Sequence, residues 1–246
     1  MVRNSSLNNI VQYMPVTHTS DMTRRTKRAI TAAVSLLILL ITMLTATPEI
    51  PQISEKDSII ATGNAAVVLE SLEVKGRAPK TGYEREEFGN GWAMKQGCDT
   101  RNIILYRDLL NTTADEECRV LTGTLNDPYT NTVIAFTRVN GDAVQIDHVI
   151  ALSDAWQKGA QLLTKQRRAE LANDPLELLA VDGPSNQQKG DSDAASWLPS
   201  NKAFRCQYVA RQIAVKQKYQ LWVTPAEKDA MTMVLSTCPG QPLPVE

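Results

Sequence analysis

The sequence predicts an α+β domain that lies outside the cytoplasmic membrane, and three observations carry that prediction. From residue 65 onward, short apolar runs bounded by turn signals are interleaved with segments of helical periodicity. Ahead of them, residues 29–47 (AITAAVSLLILLITMLTAT) form an uncharged apolar run directly behind Arg24, Arg25, Lys27 and Arg28. All four cysteines, Cys98, Cys118, Cys206 and Cys238, follow that run, with no C-x-x-C spacing among them. With 246 residues, 43% of them hydrophobic, the chain can bury a core. One domain plus tails is the natural expectation at this length.

The elements follow in order. Residues 1–28 carry a net charge of +4 and read as a basic n-region or cytoplasmic segment. As a helix, residues 29–47 would span about 28 Å, close to the ~30 Å hydrocarbon core. They serve either as a signal peptide cleaved near Ala46 or as a membrane anchor, and a start at Met22 would leave the short n-region MTRRTKRA. A buried core helix is the plainer alternative. Residues 48–64 are Pro-bearing and polar, a linker. The domain proper is expected over 65–240. AAVVLESLE (65–73) has the pattern of a short amphipathic helix, residues 76–92 of a Gly- and Pro-bearing loop, and RNIILYRDLL (101–110) of a helix. Strands are expected at 118–120 and 132–137, around the turn NDPYTN, and again at 143–152 and 176–181. Short helices are expected at 153–163 and 164–173 and after Pro184. The strongest helical patterns are 201–219 and 224–237, the latter opened by Thr224, Pro225 and Glu227.

Charge and residue counts exclude several classes. Beyond residue 28 the net charge is −5, which argues against a polybasic nucleic-acid binder while leaving room for a local basic face. The two histidines, His18 and His148, lie on opposite sides of the apolar run, so a multi-histidine zinc centre cannot form within one chain. An even number of cysteines after an export-type segment points to disulfides, Cys98 with Cys118 and Cys206 with Cys238, each pair local and bracketing a helix-containing stretch. A four-cysteine zinc site lacks the usual paired spacing. A cell-wall hydrolase would need paired carboxylates or several histidines, and neither stands out.

The informative stretch is IDHVIALSDAW (146–156) followed by LELLAVDGPSNQQKGD (176–191). Asp147–His148 ends one strand, and Asn186 opens a helix after the next. This order can bring a carboxylate, an imidazole and a carboxamide around one point. Oxygens from Asp147 and Asn186 suit a hard divalent cation, which leaves His148 free to act as a base. Such a set can activate water against a phosphodiester.

At these residues the chain resembles the HNH, or ββα-metal, endonucleases. The likeness is closest to the branch related to the C-terminal nuclease domain of GmrSD-type restriction enzymes, in the form found in exported bacterial proteins. The matching text is Asp147–His148, then Asn186 and Lys189, with QIDHVIALSDAWQKGA, LLAVDGPSNQQKGD, WLP, AFRC, YVARQ, GRAPKTGY, CDTRN, RDL and LNDPYT around them, about residues 70–238. The resemblance implies a ββα-metal core with additional helices, preceded by one N-terminal hydrophobic helix. It implies His148 as general base and Asp147 and Asn186 as metal ligands; Lys189, which matches the motif, can itself be read as a phosphate contact. The implied substrate is nucleic acid, DNA ahead of RNA. The implied cofactor is a divalent ion, Mg²⁺ first, with Mn²⁺, Ca²⁺ or Zn²⁺ as alternatives. The protein would be secreted, or anchored to the outer face of the cytoplasmic membrane through residues 29–47 if they are not cleaved; no obligate protein partner is evident. Two positions depart from the family pattern. Glu177 stands where an Asn ties the two strands together, and GWAMKQGC (91–98) lacks an expected acid.

Plainer readings compete at each position. His148 could be a buried structural histidine donating to a carbonyl, Asp147 an arginine partner, Asn186 a helix cap and Lys189 a solvated side chain. Lys202, Arg205, Gln212 and Lys216 recur at helical spacing as a positive face, read as an ordinary solvated surface or as a track for phosphates. Arg101 and Asp108 share one helix, and an internal ion pair is expected there. Trp92, Trp156, Trp197 and Trp222 read as core. From a different class, the alternative function is a non-catalytic, disulfide-stabilised extracellular binding module.

Overall fold

The architecture turns on a two-stranded antiparallel sheet with a hydrophobic core on each face. This computed structural model describes residues 64–244, so the basic segment, the apolar run 29–47 and most of the linker lie outside the described residues. Those described belong to one unit, Ser54–Glu246. In chain order they form α1 (Ala65–Ser71), β1 (Met94–Lys95), β2 (Cys98–Asp99), α2 (Thr100–Asp108), β3 (Leu110–Ala114), β4 (Val120–Asn126), β5 (Val133–Thr137) and β6 (Val144–His148). There follow α3 (Leu152–Gln157), α4 (Lys165–Ala172), β7 (Leu178–Asp182), α5 (Gly183–Lys189), α6 (Arg205–Tyr219) and α7 (Pro225–Ser236). The mixed α and β content agrees with the α+β expectation. Among the described residues no helix is long and apolar enough to cross a membrane.

β6 and β7 pair antiparallel, Val144 opposite Asp182 and His148 opposite Leu178. Alternation along a strand sends successive side chains to opposite faces. Leu179 and Val181 therefore join one core with Val68, Leu69, Tyr208, Val209 and Ile213 from α1 and α6. Val144, Ile146, Leu178 and Ala180 join the other, with Ile104 and Leu105 of α2 and with Val120, Leu125 and Phe136 of the β3–β4–β5 sheet. Burial on both faces explains why LLAV reads as a continuous apolar run.

Local chemistry sets the ends of the elements. Asp99 caps α2 by accepting from Asn102 N–H at 2.8 Å. Thr224 and Glu227 form a reciprocal capping box at α7, with Pro225 in the first turn. In the NDPYTN turn, Asp127 accepts from Thr130 N–H at 2.7 Å and from Asp182 N–H at 2.8 Å, which docks the turn on β7. A Cβ on Gly183 would sit 2.0 Å from the Asp142 carbonyl oxygen, so only glycine lets α5 start against that loop. Arg107 and Asp108 form an ion pair at 2.6 Å. Arg107 also donates to Leu178 O, and Asp108 accepts from Ala180 N–H, both at 2.8 Å, fastening α2 to β7. Asp108 thus finds its ion pair in Arg107 on its own helix, as an ion pair within the domain was expected, while Arg101 does not share that partner.

Several elements depart from the sequence expectation. β3 (LNTTA) has no apolar alternation; it forms by pairing with β4, where the Thr113 and Thr122 hydroxyls meet at 2.7 Å. The β1–β2 hairpin lies between the expected loop 76–92 and the expected helix from Arg101, where the sequence pointed to no element. The expected positive face is split: Lys202 is exposed and Arg205 half-buried, whereas Gln212 is 1% exposed and Lys216 is 0% exposed, with its ammonium 3.0 Å from Glu227. Helical spacing identifies a face but not what covers it. Cys98 is bonded to Cys118 and Cys206 to Cys238, joining the β1–β2 hairpin to the β3–β4 turn and the start of α6 to the chain after α7. The packed chain runs on to Leu243, with Ala65 N–H donating to Gln241 O.

Candidate active site

A polar cleft of about 510 Å³ runs along β6 and receives residues from both ends of that strand. Its walls include Arg85, Arg101, Asp142, Gln145, Asp147, His148, Asn186 and Asp191.

His148 is 8% exposed and is held from two directions. Its Nε2 lies 3.0 Å from Ala172 O. A carbonyl can only accept, so Nε2 carries the proton and Nδ1 keeps a lone pair. The indole of Trp92 stacks on the ring with centroids 5.7 Å apart and planes 5° from parallel. Burial, with smaller contributions from Arg85 and Lys189, pushes the His148 pKa down to about 3, so the ring is neutral throughout the physiological range. The structural hydrogen bond to a carbonyl and a free basic nitrogen coexist in one side chain.

Asn186, half-buried on α5, donates its amide to Gln145 Oε1 at 2.9 Å. That contact assigns the amide orientation and leaves Asn186 Oδ1 as an acceptor at the cleft. Asp182 caps the helix through Ser185 N–H at 2.9 Å and sets where Asn186 stands.

Asp147 is 4% exposed. One carboxylate oxygen accepts from the Lys189 ammonium at 2.9 Å and the other from the Tyr129 hydroxyl. Burial raises its carboxyl above the ordinary range while Lys189 and Tyr129 oppose the rise. Tyr129 is in turn fixed by aromatic contacts with Trp197 and Tyr208 and by Asn201 N–H donating to its carbonyl at 2.9 Å.

Lys189 is neither a surface cation nor part of the cleft wall. It is 1% exposed and donates to Asp147 and to His148 O, each at 2.9 Å. The sequence offered phosphate contact or solvation; the structure puts the ammonium beneath the strand end, where it neutralises Asp147. A partner 42 residues away cannot be seen in helical or strand periodicity.

Glu177, fully buried, fills the position of the tying Asn in the resemblance. Its carboxylate accepts from Ile150 N–H at 3.2 Å and its carbonyl accepts from Val149 N–H at 2.9 Å. It therefore joins the chain after β6 to the chain before β7, and it does not line the cleft. Burial raises its carboxyl well above the ordinary range, against the nearby Lys189.

Two residues of this site escaped the sequence reading. Trp92 reads as core and does pack against the core of Ile104 and Val144; what the sequence did not show is its stack on His148, just ahead of the β1–β2 hairpin. Arg101 was expected to face the same partner as Asp108 in an ion pair within the domain, yet it reaches the cleft wall beside Gly141. Burial and the neighbouring Arg138 lower its pKa, with Asp99 and Asp142 opposing.

With the cleft described, comparison with known proteins identifies the family. The family described as GmrSD restriction endonucleases, C-terminal domain, matches residues 99–234, more than half of the chain. This chain belongs to that family. The matched span of the GmrSD C-terminal domain holds β6, β7 and α5 and all the residues singled out above except Arg85 and Trp92. A protein of Arthroderma benhamiae described as an uncharacterized secreted protein is 37% identical over 183 residues, which is 74% of this chain and 88% of that relative. No solved structure matches the chain.

Proposed function

We propose that the chain is a divalent-metal-dependent endonuclease that hydrolyses phosphodiester bonds in DNA, with RNA as a further substrate, outside the cytoplasm. The observation that carries this reading is the neutral imidazole of His148 with Nε2–H committed to Ala172 O, in a cleft shared with Asn186. The order β6, β7, α5 supports a ββα-metal core, and membership in the GmrSD C-terminal family supports nuclease chemistry. The two disulfides, and the word secreted in the relative's description, support an exported location.

Each side chain then has a task. His148 Nδ1 takes a proton from the attacking water, and the Ala172 carbonyl stabilises the imidazolium that results. Trp92 and Ala172 hold the ring plane so that the lone pair keeps one direction. As the new P–O bond forms, the bond to the leaving sugar oxygen breaks, and that oxygen takes a proton from solvent. Asn186 Oδ1 and the remaining lone pairs of Asp147 are hard oxygen donors that fit a cation of the Mg²⁺ class. Among the described residues no group of three His, Cys, Asp or Glu converges, so such an ion would keep water and phosphate oxygens as its other ligands. When bound, it supplies charge neutralisation at phosphorus and at the leaving oxygen. Residues 1–28, 29–47 and 48–64 are proposed as the n-region, the export segment and the linker of the domain 65–240.

The test is plasmid nicking by the purified chain across a magnesium titration, with chelator as control. His148→Ala should lower the rate by about 10²–10⁴-fold with circular dichroism and DNA binding retained. Asn186→Ala should shift the magnesium requirement upward and be partly rescued by added metal, where His148→Ala is not. Near-normal nicking by His148→Ala would remove the mechanism.

A further inference from the structure

Arg101 and Arg85 are cleft cations that the roles assigned above leave unused. Arg101 is half-buried on α2, and its guanidinium lies beside Gly141, just before β6 begins. Arg85 is exposed on the turn Arg85–Phe88 and lines both the main cleft and a smaller 170 Å³ cavity with Trp92 and His148, where β6 ends. Neither guanidinium has an ion pair or hydrogen bond among the described residues. The other charges of the cleft are committed: Asp147 to Lys189, and Asp191 to Lys80 at 3.4 Å and to Ser153. Among the described residues Asp142 is the wall carboxylate with no ion pair, and it offsets Arg101 through the longer-range attraction noted above. Beside Arg85, Glu84 and Glu86 are exposed, and Glu87 is bound to Arg168.

A half-buried guanidinium beside another arginine, with five donors and no acceptor, lacks an anion. A planar fork of donors matches two oxygens of a phosphate. We infer that Arg101 and Arg85 are the phosphate clamp of this cleft, gripping the backbone of a nucleic acid at the two ends of β6 so that one phosphodiester lies against His148. The inference rests on the nuclease reading for its ligand, and it assigns the binding role to residues distant in sequence from the Asp147–His148 and Asn186 motifs.

The test uses the full chain with both disulfides formed and His148→Ala in place to prevent cleavage. The probe is a fluorescein-labelled DNA duplex of about 20 base pairs titrated across ionic strength. Each phosphate contact contributes roughly 0.9 to the slope of log K against log salt. Arg101→Met should weaken binding roughly 10-fold at low salt and reduce that slope by about 0.9; Arg101→Lys should restore most of the slope but only part of the affinity. Arg85→Met, at a side chain that is exposed and bonds nothing among the described residues, should remove another ~0.9 and carries the test if Arg101→Met is unstable. Lys202→Met, a surface cation outside the cleft, should change neither quantity. Unchanged binding in both arginine variants, or an equal loss in Lys202→Met, overturns the clamp. If the chain carrying His148 fails to nick DNA while the arginine variants still lose binding, catalysis falls and the clamp stands. If nicking depends on His148 while the arginine variants bind normally, the clamp alone falls.

Discussion

Two clusters of charged and polar groups are interleaved along the chain and differ in how completely they are satisfied. Around Lys158, the cations Arg77, Lys158 and Lys216 meet the carboxylates Asp154, Asp193 and Glu227, with Lys158 itself fully buried and 2.9, 2.8 and 2.7 Å from the three acids. Arg77 bridges Asp154 and Asp193 at 2.7 and 2.8 Å, and Lys216 bonds Glu227 and Trp222 O. Formal charge cancels, and the network joins α3, α6, α7 and the loop after α5. Along the cleft, by contrast, Arg85, Arg101, Asn186 Oδ1 and His148 Nδ1 keep unused bonding capacity. Complete pairing marks groups that hold the fold, since a buried charge left alone costs several kcal/mol. Incomplete pairing at a concave surface marks groups kept available for something that binds.

Four measurements sharpen or break that division. Lys158→Met should be the most damaging to stability, about 3–5 kcal/mol in denaturant unfolding, because three buried carboxylates lose their common cation. Its nicking activity while folded should be near that of the parent chain; a stable Lys158→Met would refute the structural role. Replacing Cys98 and Cys118 by serine opens a loop of sequence separation 20 and should cost roughly 3 kcal/mol. It should also lower nicking, because the β1–β2 hairpin follows directly on Trp92; stability lost without activity would detach the hairpin from the site.

Acid provides the third measurement. Burial alone would push the Asp193 carboxyl up, but Lys158 and Arg77 outweigh it and hold the pKa down to about 2, against an ordinary 3.8. A depressed carboxyl stabilises the fold above its unfolded pKa and loses that contribution as pH falls through the folded value. Asp193 should therefore contribute roughly 2 kcal/mol above about pH 4 that disappears toward pH 2. Asp193→Asn should flatten the stability profile in that window, and an unchanged profile would contradict the pairing. The smallest effect is expected from Trp92→Ala, about 10-fold in turnover or ~1.4 kcal/mol, with KM and thermal midpoint little changed. Trp92→Phe should recover most of it, as a stacking role requires and a purely apolar filling role does not.

Several local features of the candidate site are legible in the sequence. Asp147–His148 at a strand end, Asn186 at a helix start, the cysteine pairing and the capping box of α7 are local or short-range patterns. Strand alternation, cap chemistry and loop closure act over a few to a few tens of residues, so sequence spacing records them. The assignments that failed depended on what lies across the fold. Lys189 reads as a phosphate contact or a solvated lysine until β6 packs over it, and the basic spacing of α6 reads as surface until α7 covers Lys216. Trp92 and Arg101 carry no periodic signal, because their partners, His148 and the cleft beside Gly141, are 56 and 40 positions away. By itself the sequence determined which residue types and local elements the site has, because those are properties of neighbouring residues. Only the tertiary structure decided which charges are neutralised and which stay available, because burial and pairing are set by groups that folding alone brings together.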